Sequence, residues 1–138
     1  LILDVAHNPQ AVELLARRLS YRDAKVIAVA GMMSDKDIPA MLKPVLPYIR
    51  AWCFCDIPRQ NRAAKASNLK ALLYNVLTDF GEEDGLAAEH ASIAEFSSPV
   101  DAVKAALSRA DTDDTVLVFG SFFTVGPVLN WLNERGVS

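Results

Sequence analysis

The chain has 138 residues, enough for one domain with a buried core and too few to require two. Hydrophobic residues make up 51% and charged residues 22%, which excludes an intrinsically disordered chain. The formal net charge of -3, with basic residues scattered rather than striped, argues against nucleic acid as a partner.

The first element is LILDVA, short and apolar throughout, as parallel strands covered on both faces tend to be. HNPQAVELLARRL follows as a helix: Asn8 suits the N-cap, Pro9 the first helical position, and Val12, Leu15 and Leu19 keep one stripe. KVIAVAGMM is the second strand. SDKDIPAMLKPVLPYI then gives a loop and a helix starting near Pro39, which Pro44 and Pro47 shorten or kink. AWCFCDI is the third strand, and PRQNRAAKA a polar connection. In SNLKALLYNVLTDF, Leu69, Leu72, Leu73, Val76 and Leu77 share a helical face, with Ser67 or Asn68 as the cap.

Within GEEDGLAAEHASIAEF only ASIAEF has strand character, and it is expected as a short edge strand. SSPVDAVKAALSRA is a helix and TVLVFGS a β-branched strand. FFTVGPVLNWLNERG is a final helix, expected to be interrupted near Gly126 and Pro127 and capped by Gly136. Strands alternating with helices predict an α/β fold: an open, mostly parallel sheet, with mixed pairing allowed, and helices on both faces.

Cys53 and Cys55 are two apart in a strand, so they share a face and are poorly placed to bond each other; buried, reduced thiols are expected. No Cys or His pair lies near enough to complete a zinc site, and no metal ligand set is expected in this chain. No apolar stretch approaches the roughly 18 to 20 residues that cross a bilayer, and a secretory signal pattern is lacking, so a cytoplasmic protein off the membrane is expected. The run LILDVA opens the chain with no initiator Met, which predicts a fragment of a longer protein.

Ligands of open parallel sheets bind beyond the carboxyl ends of the strands. The first strand delivers Asp4, His7 and Asn8 there; the second Ser34, Asp35, Lys36 and Asp37; the third Asp56, Arg59 and Arg62; the last Gly120 and Ser121. Asp4 ends an apolar strand and must accept hydrogen bonds, from loop amides or from two neighbouring ribose hydroxyls. His7 stands above the rim, where an imidazole can donate or accept near neutral pH, although a lone histidine is usually structural or simply exposed. Asn8 and Pro9 are accounted for by helix initiation. Asp35, Lys36 and Asp37 form either a solvated charge cluster at a helix start or a lysine site for phosphate or carboxylate. Ser121 is either an N-cap or a hydroxyl for a carboxylate. There is no GxxxxGK[ST] loop, no GxGxxG and no nucleophile elbow, so the chain alone has no visible means of holding a triphosphate with magnesium.

The segments LDVAHNPQA, GMMSDKD and FGSFFTVGPV, in that order, resemble the three signature segments of the C-terminal domain of folylpolyglutamate synthase and dihydrofolate synthase, in the Mur ligase family. That resemblance runs from near residue 1 to near residue 130. It implies a Rossmann-like ligase domain spanning 1–138 in an enzyme that joins L-glutamate to dihydropteroate or folate. ATP would phosphorylate the acceptor carboxylate and the glutamate amine would attack the acyl phosphate. The partners implied are ATP, glutamate, the pteroate or folate substrate and the chain's own N-terminal domain, which would carry the phosphate loop and Mg2+; a monomer is expected.

Carried over by position, Asp4 would contact ATP ribose, His7 would lie at the ATP and glutamate site, and Ser121 would help bind glutamate. Asp35, Lys36 and Asp37 would face the domain interface, with Arg62 a looser match. The family often has glycine where this chain has Val5, and an acid where it has Pro127. The isolated domain is expected to have no ligase turnover. One rival is a receiver-type signalling domain phosphorylated on Asp56, although strand one ends in a single acid and the last strand lacks a lysine. Another is a non-catalytic partner-binding module, in which the polar rim is incidental.

Overall fold

In the computed structural model, residues 1–22, 25–80 and 92–136 are described. Five strands, β1 (Ile2–Leu3), β2 (Val26–Ala30), β3 (Ile49–Cys55), β4 (Ser92–Phe96) and β5 (Thr115–Phe119), form one sheet in the order β1-β5-β2-β3-β4. All four pairings are parallel, and the antiparallel element that mixed pairing allowed is confined to an isolated bridge between Met33 and Ala63.

The helices are α1 (Pro9–Ser20), α2 (Ile38–Leu42), α3 (Ala66–Phe80), α4 (Pro99–Arg109) and α5 (Phe122–Glu134). Strand residues alternate between two apolar clusters, as the two-residue period requires. Val26, Ala28, Ala30, Trp52, Phe54, Leu117 and Phe119 meet residues of α1, α2 and α3 on one face. Ile27, Val29, Cys53, Cys55, Val116 and Val118 meet residues of α4 and α5 on the other. Both faces are covered, which is why the inner strands carry almost no polar residue.

Several local expectations are corrected. The second helix begins at Ile38, with Asp37 as its N-cap, and lasts five residues before a 3-10 turn takes over at Lys43–Tyr48. Pro44 and Pro47 account for the early end, since neither offers an amide to an α ladder. The third strand starts at Ile49 rather than Ala51. Ser67 and Asn68 lie inside α3; the cap comes from Asp56, whose Oδ1 accepts from the Ala66 amide at 2.7 Å. The final helix runs through Gly126 and Pro127 without a break. Gly126 helps, because a residue without Cβ avoids the clash that proline imposes on its predecessor. Gly136, at φ 71°, follows the C-cap Arg135 in the left-handed turn expected of it. The edge strand is present at Ser92–Phe96; Ala91 and the stretch before it lie outside the described residues.

Cys53 and Cys55 are both fully buried, on the same face, and unbonded. Burial pushes the Cys55 thiol up to about 12, with the Asp56 charge adding to it. Cys53 is also raised by burial, partly offset by Arg109. Thiolates are the reactive species, so native protein at pH 8 is expected to resist iodoacetamide at both positions and to react at both in denaturant. Alkylation of either thiol in the native state at the unfolded rate would contradict the burial.

Candidate functional site

β5 lies between β1 and β2, and the helices that follow those two neighbours pack on the face opposite α5. Chain leaving adjacent strands toward opposite faces opens a crevice at their carboxyl ends. The crevice between β1 and β5 is where the sequence places its acid, imidazole and serine.

The β1 side is held along its length. The Asp4 amide donates to Val118 O at 2.9 Å, and the Gly120 amide donates to Ala6 O at 3.1 Å, so pairing with β5 continues past the end of β1. Asp4 turns its carboxylate back on its own loop: Oδ1 accepts from the Ala6 amide at 2.8 Å, and Oδ2 from Arg18 at 3.3 Å. The loop-amide alternative for Asp4 is therefore realised, and each oxygen keeps a further lone pair for a ligand hydroxyl. Arg18, 72% exposed, was not singled out in the sequence; its contact spans 14 residues and has no local signal.

His7 makes no hydrogen bond with Asp4. Its Nδ1 lies 3.0 Å from Val5 O, and a carbonyl only accepts, so Nδ1 carries the proton and Nε2 is left with its lone pair in the neutral ring. The ring packs against Phe122, centroids 5.9 Å apart and tilted by 42°. Asn8 accepts from the Ala11 amide at 2.9 Å, capping α1 as expected. Val5 has no positive φ, so the usual family glycine is not needed for the backbone here.

Ser121 caps α5 where it leaves β5. Its Oγ accepts from the Phe123 amide at 3.1 Å, the residue is 4% exposed, and its hydroxyl hydrogen remains to be donated. Gly120 before it has φ 115°, and Thr124 behind it donates Oγ1–H to Gly31 O at 2.9 Å. These contacts pin the first turn of α5 to the exit of β2. Two helix N-termini, of α1 and α5, thus start side by side from neighbouring strands, an arrangement that favours an anion between them. Phe122, 62% exposed beside His7, is a part of this wall that the sequence reading missed; an aromatic just after a helix cap looks like any surface residue.

The other candidates gather at the exits of β2, which is the other neighbour of β5, and of β3. The Ser34 amide and hydroxyl both donate to Arg62 O, at 2.6 and 2.7 Å, and the Ala64 amide donates to Met32 O at 2.8 Å. Asp35, Lys36 and Asp37 are thereby brought near Arg62 on one loop surface at the exits of β2 and β3. Asp37 is occupied as the α2 cap, accepting from the Ala40 amide at 3.3 Å. Asp56 Oδ1 accepts from the Ala66 amide and so caps α3, a structural role that does not support the receiver reading. Among the described residues no group of three or more His, Cys, Asp or Glu could hold a metal ion, and no helix is long and apolar enough to cross a membrane.

Comparison with known proteins places this arrangement. Residues 1–122 match the model of the Mur ligase glutamate ligase domain. The chain is 35% identical over 136 residues to the dihydrofolate synthase/folylpolyglutamate synthase of Escherichia coli, covering 97% of this chain and 28% of that protein. It is 32% identical over 129 residues to the Haemophilus influenzae enzyme of the same description, covering 91% and 27%. The E. coli FolC structure in complex with DHPP and ADP superposes with a TM-score of 0.77 at 34% identity, over 96% of this chain and 28% of that one. A bifunctional folylpolyglutamate synthase/dihydrofolate synthase structure with Mn, AMPPNP and L-glutamate bound gives 0.76 at 36%, over 95% and 29%. The chain spans under a third of the length of these relatives. With its fold, its crevice and its sequence in agreement, the chain belongs to the Mur ligase family, as a glutamate ligase domain.

Proposed function

We propose that this domain is the C-terminal part of an ATP-dependent ligase that adds L-glutamate to dihydropteroate, to folate, or to both. The observation that carries the reading is the convergence of His7, Ser121 and two helix N-termini at the carboxyl end of β1 and β5. Glutamate brings carboxylates and an ammonium group. The helix termini and the Ser121 hydroxyl suit a carboxylate, and the Nε2 lone pair of His7 suits the ammonium. Relatives solved with ADP, with AMPPNP and Mn, and with L-glutamate support the same ligand set.

In the reaction the acceptor carboxylate takes the γ-phosphoryl group of ATP, releasing ADP. The glutamate amine, once deprotonated, attacks the acyl carbon; phosphate leaves and an amide forms. His7 Nε2 would accept the proton that the ammonium must lose. Asp4, oriented by the Ala6 amide and Arg18, would accept from ribose hydroxyls of ATP. Asp35, Lys36, Asp37 and Arg62 would face the N-terminal domain, which would hold Mg2+ and the triphosphate; the metal there would neutralise phosphate charge.

The test is incorporation of radiolabelled L-glutamate into dihydropteroate and folate with matching ADP release. It compares the full-length protein with residues 1–138 alone. Turnover by the full-length protein and none by the isolated domain is expected. Turnover by the domain alone would mean that the phosphate machinery lies within these residues.

A further inference from the structure

Phe122 is the first residue of α5 and, though large and apolar, is largely exposed. Burial does not account for it: a side chain left in water adds little to a core, and phenylalanine is a middling helix former. Its backbone is nonetheless firmly held. Ser121 before it accepts from the Phe123 amide at 3.1 Å, and Thr124 after it donates to Gly31 O at 2.9 Å. The ring therefore projects from a turn that is anchored on both sides.

That ring has two neighbours. On one side is His7, with centroids 5.9 Å apart, inside the range over which aromatic pairs attract. Among the described residues the imidazole makes one hydrogen bond, from Nδ1 to Val5 O at 3.0 Å. A single bond fixes one atom of a ring and leaves its plane free to pivot, so the direction of Nε2 depends on the Phe122 contact as well. The second neighbour is a largely apolar surface concavity of about 550 Å³, which Phe122 lines together with Pro58, Pro99, Phe123 and Pro127. His7 is not in that lining, so Phe122 stands between the imidazole and the concavity.

We propose that Phe122 is a positioning residue that couples ATP consumption to amide formation. It holds the plane of His7 so that Nε2 meets the glutamate ammonium, and it walls the acyl phosphate off from water entering through the concavity. This rests on the function proposed above. Two nucleophiles compete for the acyl carbon. The deprotonated amine gives the amide and phosphate. Water attacking the same carbon breaks the same bond to phosphate, but it returns the acceptor carboxylate, with phosphate and a proton released, and ATP is consumed without product. Aiming the base at one nucleophile and excluding the other tips that competition toward the amine.

The test measures glutamate incorporated and ADP released by the full-length enzyme, with dihydropteroate or folate as acceptor. Wild type should form amide and ADP in equal amounts. Phe122→Ala should lower kcat for amide formation about tenfold, the order that a small misplacement of a catalytic group costs, with KM for glutamate within about twofold. It should also release ADP in several-fold excess over amide. Phe122→Tyr should restore both readouts. Phe122→Leu, apolar but without a ring plane, should keep ADP and amide matched while kcat stays low. Leu129→Ala truncates another exposed apolar residue of α5 and should leave both readouts at wild-type values. Unchanged kcat and stoichiometry in Phe122→Ala, a KM effect with kcat intact, or the same losses in Leu129→Ala would overturn the coupling role while leaving the ligase reading in place. A wild-type enzyme with no turnover on either acceptor would overturn both.

Discussion

Gly120→Ala is expected to destabilise the domain by more than about 3 kcal/mol, the largest stability effect of a single methyl group at this rim. A side chain rarely adopts φ 115°, and such conformations cost about 1–3 kcal/mol. The added Cβ would also lie 2.5 Å from Gly31 O and 3.0 Å from the Met32 Cγ. Met32 is flexible enough to give. Gly31 O is not, because it is backbone at the exit of β2 and accepts the Thr124 hydroxyl at 2.9 Å. Gly31 itself has no room to retreat: a Cβ there would meet Thr124 Oγ1 at 2.8 Å and Cys55 Sγ at 2.9 Å. The strain must therefore be relieved by moving α5 or the end of β5, which would also part Ser121 from His7. Thermal melts should register a Tm lower by roughly 10 °C, at about 3–4 °C per kcal/mol for a domain of this length. Gly126→Ala is the control. Nothing lies within 4 Å of its Cβ position, and a helix-interior alanine gains what the following proline takes back, so a change under about 1 kcal/mol is expected. A Gly120→Ala protein as stable as wild type would mean that the β5 exit is not packed as described.

What could be read from the sequence follows the range of the interactions concerned. Asn8 with Pro9 announces α1 because a cap and its amides are three residues apart, and the alternation of VIAVA and TVLVF between two cores is likewise local. Asp56 was ambiguous because its partner, the Ala66 amide, is ten residues on and belongs to the next helix. The Ser34 to Arg62 contacts span 28 residues, and the Thr124 to Gly31 bond spans 93; these build the rim, and neither has a local signature. Pro127 misled for a related reason. Its effect on a helix depends on the residue before it and on the packing of the first turn, and Val125 and Val128 bury α5 firmly enough to keep it whole.

The site followed the same division. Asp4, His7 and Ser121 were candidates by their place after strands, and the Gly120 to Ala6 bond and the His7 to Phe122 contact bring the loops carrying the last two together. Asp4 and His7 do not bond each other, because each has a nearer backbone group, the Ala6 amide and the Val5 carbonyl. A carboxylate and an imidazole three residues apart at a strand exit serve two different neighbours here.

In the full-length enzyme, His7→Ala is expected to lower kcat/KM for glutamate by about 10² to 10³, within the range that a positioned proton acceptor contributes. The Val5 carbonyl takes the Nδ1 proton and leaves Nε2 with a lone pair to accept one. His7→Gln retains a polar group of similar reach without a titratable nitrogen, so it should recover KM for glutamate more fully than kcat. Ser121 separates by a different substitution. Ser121→Ala removes both the helix cap and the hydroxyl, and should cost about 1 kcal/mol of stability as well as affinity. Ser121→Gly costs only a few tenths as a cap, so its thermal midpoint should stay near wild type while KM for glutamate rises about tenfold. If His7→Ala turns over at the wild-type rate and Ser121→Gly binds glutamate normally, the crevice between β1 and β5 is not where the amino acid is held. The convergence of α1 and α5 would then be a packing consequence of β5 lying between two strands whose helices take the other face.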